Sequence, residues 1–242
     1  MKRMIFMFLV LLWLPLQVSA KMEVPILVYH SIDEFKGHGS KELYVTPENF
    51  EKQMTYLKNK GFTLLTFERW QDIYKVKKPI FITFDDGYKN NQNAYKIFWK
   101  LKDEHFHPAG TIFVISDFIG RANRLSKADI KDMAESGLFS IQSHTATHPD
   151  LTKDKKYVHE LKDSKETIEK ITGKPVLAFA YPYGNFNKQV VEETKKYYRF
   201  GLTTTPGPFS ESGIQNELYL LPRIYVKYST TLEEFTKMVE KG

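Results

Sequence analysis

The 242-residue sequence contains no cysteine. That excludes disulfides, a thiol nucleophile, thiolate metal ligands and a lipid anchor through an N-terminal cysteine. A chain of this size without disulfides must be held by its own apolar core, which its length allows. No histidine follows His159, so imidazole chemistry has to come from earlier positions. After Leu16 no apolar run is long enough to cross a bilayer. The formal net charge is +6, but the lysines are scattered and form no dense basic block. No nucleic-acid partner is expected, and the basic exterior suits loose attraction to an anionic cell wall or membrane surface at most. Repeats, low-complexity tracts and internal linkers are also missing, so a single domain and a monomer are expected.

What is present begins with Lys2 and Arg3, an apolar stretch from Met4 to Leu16 broken by Pro15, and the small-residue site Val18-Ser19-Ala20. This pattern predicts a secretory signal peptide over residues 1–20 and a secreted catalytic domain over 21–242. Beyond it, apolar runs alternate with helical patterns. Val24 to Tyr29, Pro79 to Phe84, Gly110 to Ile115, Leu138 to Ser143 and Val176 to Ala180 read as buried strands of a parallel sheet. Between them, Thr46-Pro47 and Ser126 open helices, and Ala94, Ile97, Phe98 and Leu101 recur at helical spacing. A long charged helix is expected from Tyr157 to Gly173, and a strand over Tyr219 to Val226. Uninterrupted alternation predicts the α/β class without deciding between a barrel and an open sheet. Trp70 and Trp99 fall in helical patterns and are expected in the core.

The chemically loaded residues share one placement. His30, the pair Asp85-Asp86, His144 and Tyr181-Pro182-Tyr183-Gly184 each follow the end of a predicted strand. In parallel α/β folds such ends meet on one face, where ligands bind. Asp85-Asp86-Gly87 alone reads equally well as a polar turn. His144 and His148 are four apart, and on a helical turn both imidazoles would face one way. Two histidines and one aspartate make three ligands, the number a hydrolytic metal site uses while leaving room for water. The other acid could then serve as general base.

These stretches also carry a resemblance. Thr83-Phe84-Asp85-Asp86-Gly87 and His144-Thr145-Ala146-Thr147-His148 resemble the first two motifs of the polysaccharide deacetylases, carbohydrate esterase family 4, the NodB homology domain. Ala180-Tyr181-Pro182-Tyr183-Gly184 resembles the third. The resemblance runs from about Pro25 to Arg223. It implies a distorted (β/α) barrel, a divalent metal (zinc expected), and hydrolysis of acetyl groups on a polysaccharide. Carried over by position, it implies Asp85 as general base, Asp86, His144 and His148 as metal ligands, and the Tyr183 backbone N–H as an oxyanion donor. Two features depart from the family pattern. Ala180 stands where the third motif usually has an arginine, and the late Leu-x-His motif with the usual acid is absent. Tyr29-His30 and Pro222-Arg223-Ile224 are similar to the branch that deacetylates poly-β-1,6-N-acetylglucosamine. The resemblance therefore implies His30 as general acid and Arg223 in place of the missing arginine. The expected function is N-deacetylation of an N-acetylglucosamine polymer, either exopolysaccharide or peptidoglycan. An O-acetyl esterase acting on xylan or another glycan, and a non-catalytic wall-binding protein, are the alternatives.

Overall fold

The computed structural model describes residues 22–240. The expected signal peptide lies outside the described residues. Among them, no helix is long and apolar enough to cross a membrane.

Eight strands form one sheet in which every pairing is parallel. They are β1 (Ile26–Tyr29), β2 (Thr63–Leu65), β3 (Pro79–Phe84), β4 (Gly110–Val114), β5 (Phe139–Ser143), β6 (Ala178–Ala180), β7 (Phe200–Leu202) and β8 (Ile224–Tyr225). The order is β7-β6-β5-β4-β3-β1-β8, with β2 beside the first half of β3. The helices α1 (Pro47–Asn59), α2 (Asn91–Leu101), α3 (Lys127–Glu135), α4 (Ser164–Thr172), α5 (Lys188–Lys195) and α6 (Leu232–Val239) complete the (β/α) unit. Thr46 Oγ1 caps α1 with Pro47 in its first turn, and Ser126 with Asp129 forms a capping box on α3, as their sequences predict.

Alternate residues of the strands serve two cores. On β3, Ile82 and Phe84 pack outward against the helices, among Phe50, Phe98 and Phe139. Phe81 points into the barrel with Ile26, Phe113, Ala180 and Leu202. Phe67 and Trp70 fill this inner space, stacked at 6.2 Å and each against Phe81. Trp70 is thus core, as expected. Trp99 is not: it lies 47% exposed on α2, because Ile97, Phe98 and Leu101 take that helix's buried face.

The barrel is distorted in two places. Only Ser143 pairs with Phe179 between β5 and β6. The buried Gln142 side chain spans part of that split, its Oε1 accepting from the backbone N–H groups of Leu177 and Ala178, both at 2.7 Å. Closure is equally sparse. The strand expected over Tyr219 to Val226 shrinks to β8 and an isolated bridge from Leu221 to Leu202. That short segment still joins the two ends of the sheet. Leu221 bonds to Gly201 and Thr203 beside β7, while Val226 donates to Val28 of β1. Arg223 sits in the middle of the closing segment and is 1% exposed.

Candidate metal centre and active site

The strand period decides where the two adjacent acids go. Phe81, Thr83 and Asp85 share the inner face of β3, since side chains alternate along a strand. Asp85 therefore enters the barrel mouth and is 3% exposed. The chain then turns left-handed, with φ of 70° at Asp86 and 62° at Gly87. Asp tolerates that region better than most residues. At Gly87 a side chain is excluded twice, by the backbone angle and by Val114 Cγ1, which would lie 2.9 Å from an added Cβ. The turn swings Asp86 away from its neighbour and toward the histidines. Two like charges are thus separated by backbone conformation.

Asp85 faces Arg223. Nη1 donates to Oδ1 and Nη2 to Oδ2, both at 2.7 Å, in a bidentate pair. Arg223 also donates through Nε to the Thr203 carbonyl at 2.9 Å and through Nη1 to Thr83 Oγ1 at 3.3 Å. Burial by itself would raise the Asp85 pKa. The Arg223 charge, helped by His144 and by the Arg223 hydrogen bonds, overcomes this and holds the carboxyl well below the usual carboxylate range. Ala180, at the position without its arginine, is fully buried on the inner face of β6. The guanidinium reaches Asp85 from the opposite end of the chain.

His144 follows β5 and its Nδ1 lies 2.7 Å from the Ala180 carbonyl. A carbonyl only accepts, so Nδ1 carries the hydrogen and Nε2 is left facing Asp86, at 3.8 Å from Oδ1. His148 Nε2 lies 3.6 Å from the same oxygen. The two rings meet edge-on at 4.7 Å. The helical turn expected between them does not form. Thr145 and His148 are left-handed, with φ of 68° and 64°. The segment is a tight loop in which His148 N donates to Thr145 Oγ1 at 2.8 Å. The imidazoles converge because the loop doubles back.

A residue that sequence reasoning missed holds this loop. Glu160 is 1% exposed and its carboxylate accepts from the backbone N–H of Ala146 and Thr147 and from Thr147 Oγ1, at 2.9, 2.8 and 2.6 Å. It lies within the long charged helix expected from Tyr157. That helix instead begins with a wider π turn over Val158–Asp163.

One ligand atom from each of Asp86, His144 and His148 lies within 4.8 Å of the others. Burial first, and then the neighbouring His144, bring His148 down to about 4, so it is neutral at pH 7 and offers a lone pair. One carboxylate, two imidazoles and a carbonyl orienting one of them fit a divalent cation of the zinc type.

The remaining predicted residues ring this centre. His30 follows β1, its carbonyl held by Asn91 Nδ2 at 2.7 Å and its ring 5.3 Å from Tyr225. Its Nδ1 is buried and has no hydrogen-bond partner among the described residues. Tyr183 is left-handed, with φ of 61°, and its exposed ring packs edge-on against His148 at 4.7 Å. His38, His105 and His107 are solvent-exposed, and His159 lies partly exposed beside Asp117 and Asp163. All four stand outside the donor cluster.

A family model described as polysaccharide deacetylase matches residues 73–200. The crystal structure of BC0361, a polysaccharide deacetylase from Bacillus cereus, superposes with a TM-score of 0.90 at 53% identity, over 91% of this chain and 70% of that one. The Bacillus subtilis (strain 168) protein YxkH, assigned by name to the polysaccharide deacetylases, is 31% identical over 237 residues, 94% of this chain and 79% of that protein. A poly-β-1,6-N-acetyl-D-glucosamine N-deacetylase from Staphylococcus epidermidis is 29% identical over 224 residues, 81% of this chain and 75% of that protein.

Proposed function

We propose that this chain, which belongs to the polysaccharide deacetylase family, is a secreted, zinc-dependent hydrolase that removes N-acetyl groups from N-acetylglucosamine polymers. The observation that carries this reading is the meeting, on one rim of the barrel, of a three-donor metal seat with a separately anchored carboxylate, Asp85. A divalent cation held by Asp86, His144 and His148 would polarise an amide carbonyl and lower the pKa of a water to roughly 7.

The chain's own residues divide the rest of the work. Asp85, fixed by Arg223, takes the proton of the attacking water. The Tyr183 backbone N–H, set by its left-handed turn, donates to the carbonyl oxygen as negative charge gathers there. His30 gives a proton to the departing nitrogen as the C–N bond breaks. Acetate leaves, and the sugar keeps a free amine. Similarity to the Staphylococcus epidermidis enzyme, together with Tyr29-His30 and Pro222-Arg223-Ile224, supports a β-1,6-linked exopolysaccharide as substrate. The leader pattern over residues 1–20 supports export, and we propose that the exported protein acts as a monomer near the cell wall.

Acetate release from β-1,6 and β-1,4 N-acetylglucosamine oligomers, peptidoglycan and acetylxylan, with and without chelator, tests the reading. Chelation is expected to lower release by at least about a hundredfold, and zinc to restore it, since Lewis-acid catalysis supplies several kcal/mol. Preference for acetylxylan would make the enzyme an esterase, and chelator-resistant turnover would remove the metal. In the same assay Glu160→Ala, which frees the loop between the two histidines, is expected to weaken zinc binding by about 10–100-fold, as loss of a supporting hydrogen-bond partner does in metal sites. Competition with a chromophoric chelator measures this. Unchanged affinity would make Glu160 a purely structural residue.

A further inference from the structure

The barrel has a seam, and the metal seat lies at one end of it. β4 and β5 pair at five positions, and β6 and β7 at three. Between β5 and β6 the backbone pairs at one, Ser143 with Phe179. β6 leads into the turn over Tyr181 to Tyr183, so the seam separates that turn from the histidine loop that follows β5. Two side chains supply the rungs that the backbone omits. Gln142 and His144 flank Ser143 and, standing two apart, share one side of the chain. Gln142 Oε1 accepts from the Leu177 and Ala178 N–H groups, and His144 Nδ1 donates to the Ala180 carbonyl, all at 2.7 Å. The links run in step along both strands: Gln142 to Ala178, Ser143 to Phe179, His144 to Ala180. One backbone pairing and one amide thus fix the register that brings the Ala180 carbonyl to His144.

The Gln142 amide is saturated, and its orientation is fixed. Nε2 donates to Ser140 Oγ at 2.8 Å and to Glu68 Oε1 at 3.0 Å, and Ser140 Oγ donates to the same Glu68 oxygen at 2.7 Å. A flipped amide would set its NH2 group against the Leu177 and Ala178 N–H groups, donor against donor. Gln142 is fully buried, so bulk water does not replace these bonds, and without them the two backbone donors would be left unpaired. Glu68 belongs to the segment that places Phe67 and Trp70 inside the barrel. The brace therefore runs from that interior segment, through Gln142 and β6, to the first histidine of the donor cluster. The carbonyl at its end matters chemically. A free neutral imidazole populates both tautomers, and the one with its hydrogen on Nε2 has no lone pair there for a metal.

We propose that Gln142 is a positioning residue of the metal centre: by setting β6 against β5 it places the Ala180 carbonyl that holds His144 in its Nδ1–H form, with Nε2 left for the cation. The inference rests on the metal seat of the deacetylase reading above. Glu160 fixes the loop between the two histidines, and Gln142 fixes the strand against which the first of them is oriented.

Two measurements test it: zinc affinity, by competition with a chromophoric chelator, and the imidazole nitrogen NMR shifts of the zinc-free protein. In the wild type His144 is expected to show the Nδ1–H tautomer. Gln142→Ala should give a mixture of tautomers and weaken zinc binding by about tenfold, the lower end of what loss of a supporting partner costs a metal site. Gln142→Met, which keeps most of the volume without the acceptor, should do the same and keeps the test sound if the alanine variant folds poorly. Exchanging the pair, Gln142→Glu with Glu68→Gln, preserves an acceptor for Leu177 and Ala178 and a donor–acceptor contact between the two side chains. It creates a buried carboxylate satisfied by backbone N–H groups, as Glu160 already is. Its zinc affinity should return to within about threefold of wild type. Alanine and methionine variants that melt lower yet keep both the tautomer and the zinc affinity overturn the inference and leave Gln142 a stabilising residue only. So does an exchanged pair that binds zinc as weakly as Gln142→Ala. A wild type that binds no zinc removes the metal reading instead, and the zinc-free spectra still decide whether Gln142 sets the His144 tautomer.

Discussion

Arg223→Met is expected to destabilise the protein by about 3–5 kcal/mol and to remove at least about 99% of turnover. The reason is burial. Arg223 is 1% exposed and Asp85 3% exposed, and their bidentate pair is the main charge compensation for Asp85 among the described residues. Without the guanidinium, burial pushes the Asp85 pKa upward, and a protonated carboxyl cannot accept a proton from water. At roughly 2–4 °C per kcal/mol for a chain of this size, the melting temperature should fall by about 10 °C. Arg223→Met combined with Asp85→Leu separates the two effects. Removing both charges is near neutral for stability in comparable buried pairs, so the double variant should melt close to wild type while staying inactive. The pH dependence has a definite sign. The folded Asp85 pKa lies below its ordinary value of 3.8, so the pair's contribution is present above about pH 4 and is lost as pH falls through the folded pKa. The gap in melting temperature between wild type and Arg223→Met should therefore close in strong acid. A single variant that melts within a degree of wild type and still turns over would refute the arrangement.

The resemblance implied Arg223 in place of the missing arginine, but the bidentate geometry of its pair with Asp85 is visible only in the fold. The strands of the barrel were legible because strands buried on both faces carry continuous apolar runs, and the reactive residues were legible because each follows such a run. Asp86, His144 and His148 were legible as a set through the resemblance of their motifs, and the fold brings them together. The partnership of Arg223 with Asp85 spans 138 positions, and only closure of the barrel brings it about. The closing segment reads as a strand over Tyr219 to Val226 but makes only one bridge and a two-residue strand, so its pattern does not tell where Arg223 points. Glu160 was hidden for a different reason. A glutamate in a charged helical stretch reads as solvent-facing, and a π turn, which periodicity does not announce, rotates it inward onto the Ala146 and Thr147 amides. The histidine pair shows the converse case. Helical spacing gave the right convergence, but two left-handed residues produce it.

His30→Ala is expected to lower kcat on N-acetylated oligosaccharides by about 10²–10⁴-fold while leaving zinc content unchanged. His30 is not in the donor cluster, and its Nδ1 is buried with no hydrogen-bond partner among the described residues. Burial lowers its pKa below 6.5. The Asp85 and Asp86 carboxylates oppose that shift, while Arg223 and His144 add to it. A donor of this kind is charged only in mild acid. On amide substrates kcat/KM should thus fall as pH rises past that lowered value, and the variant should lose this limb of the profile. An amine cannot leave without a proton, whereas 4-nitrophenolate can. With 4-nitrophenyl acetate the same variant should therefore lose less than about tenfold. Equal losses on amide and activated ester would mean that His30 supports the site structurally, as would loss of zinc. A large amide-specific loss with the metal in place assigns the proton to His30, at the opposite end of the chain from the late motif where the family usually keeps it.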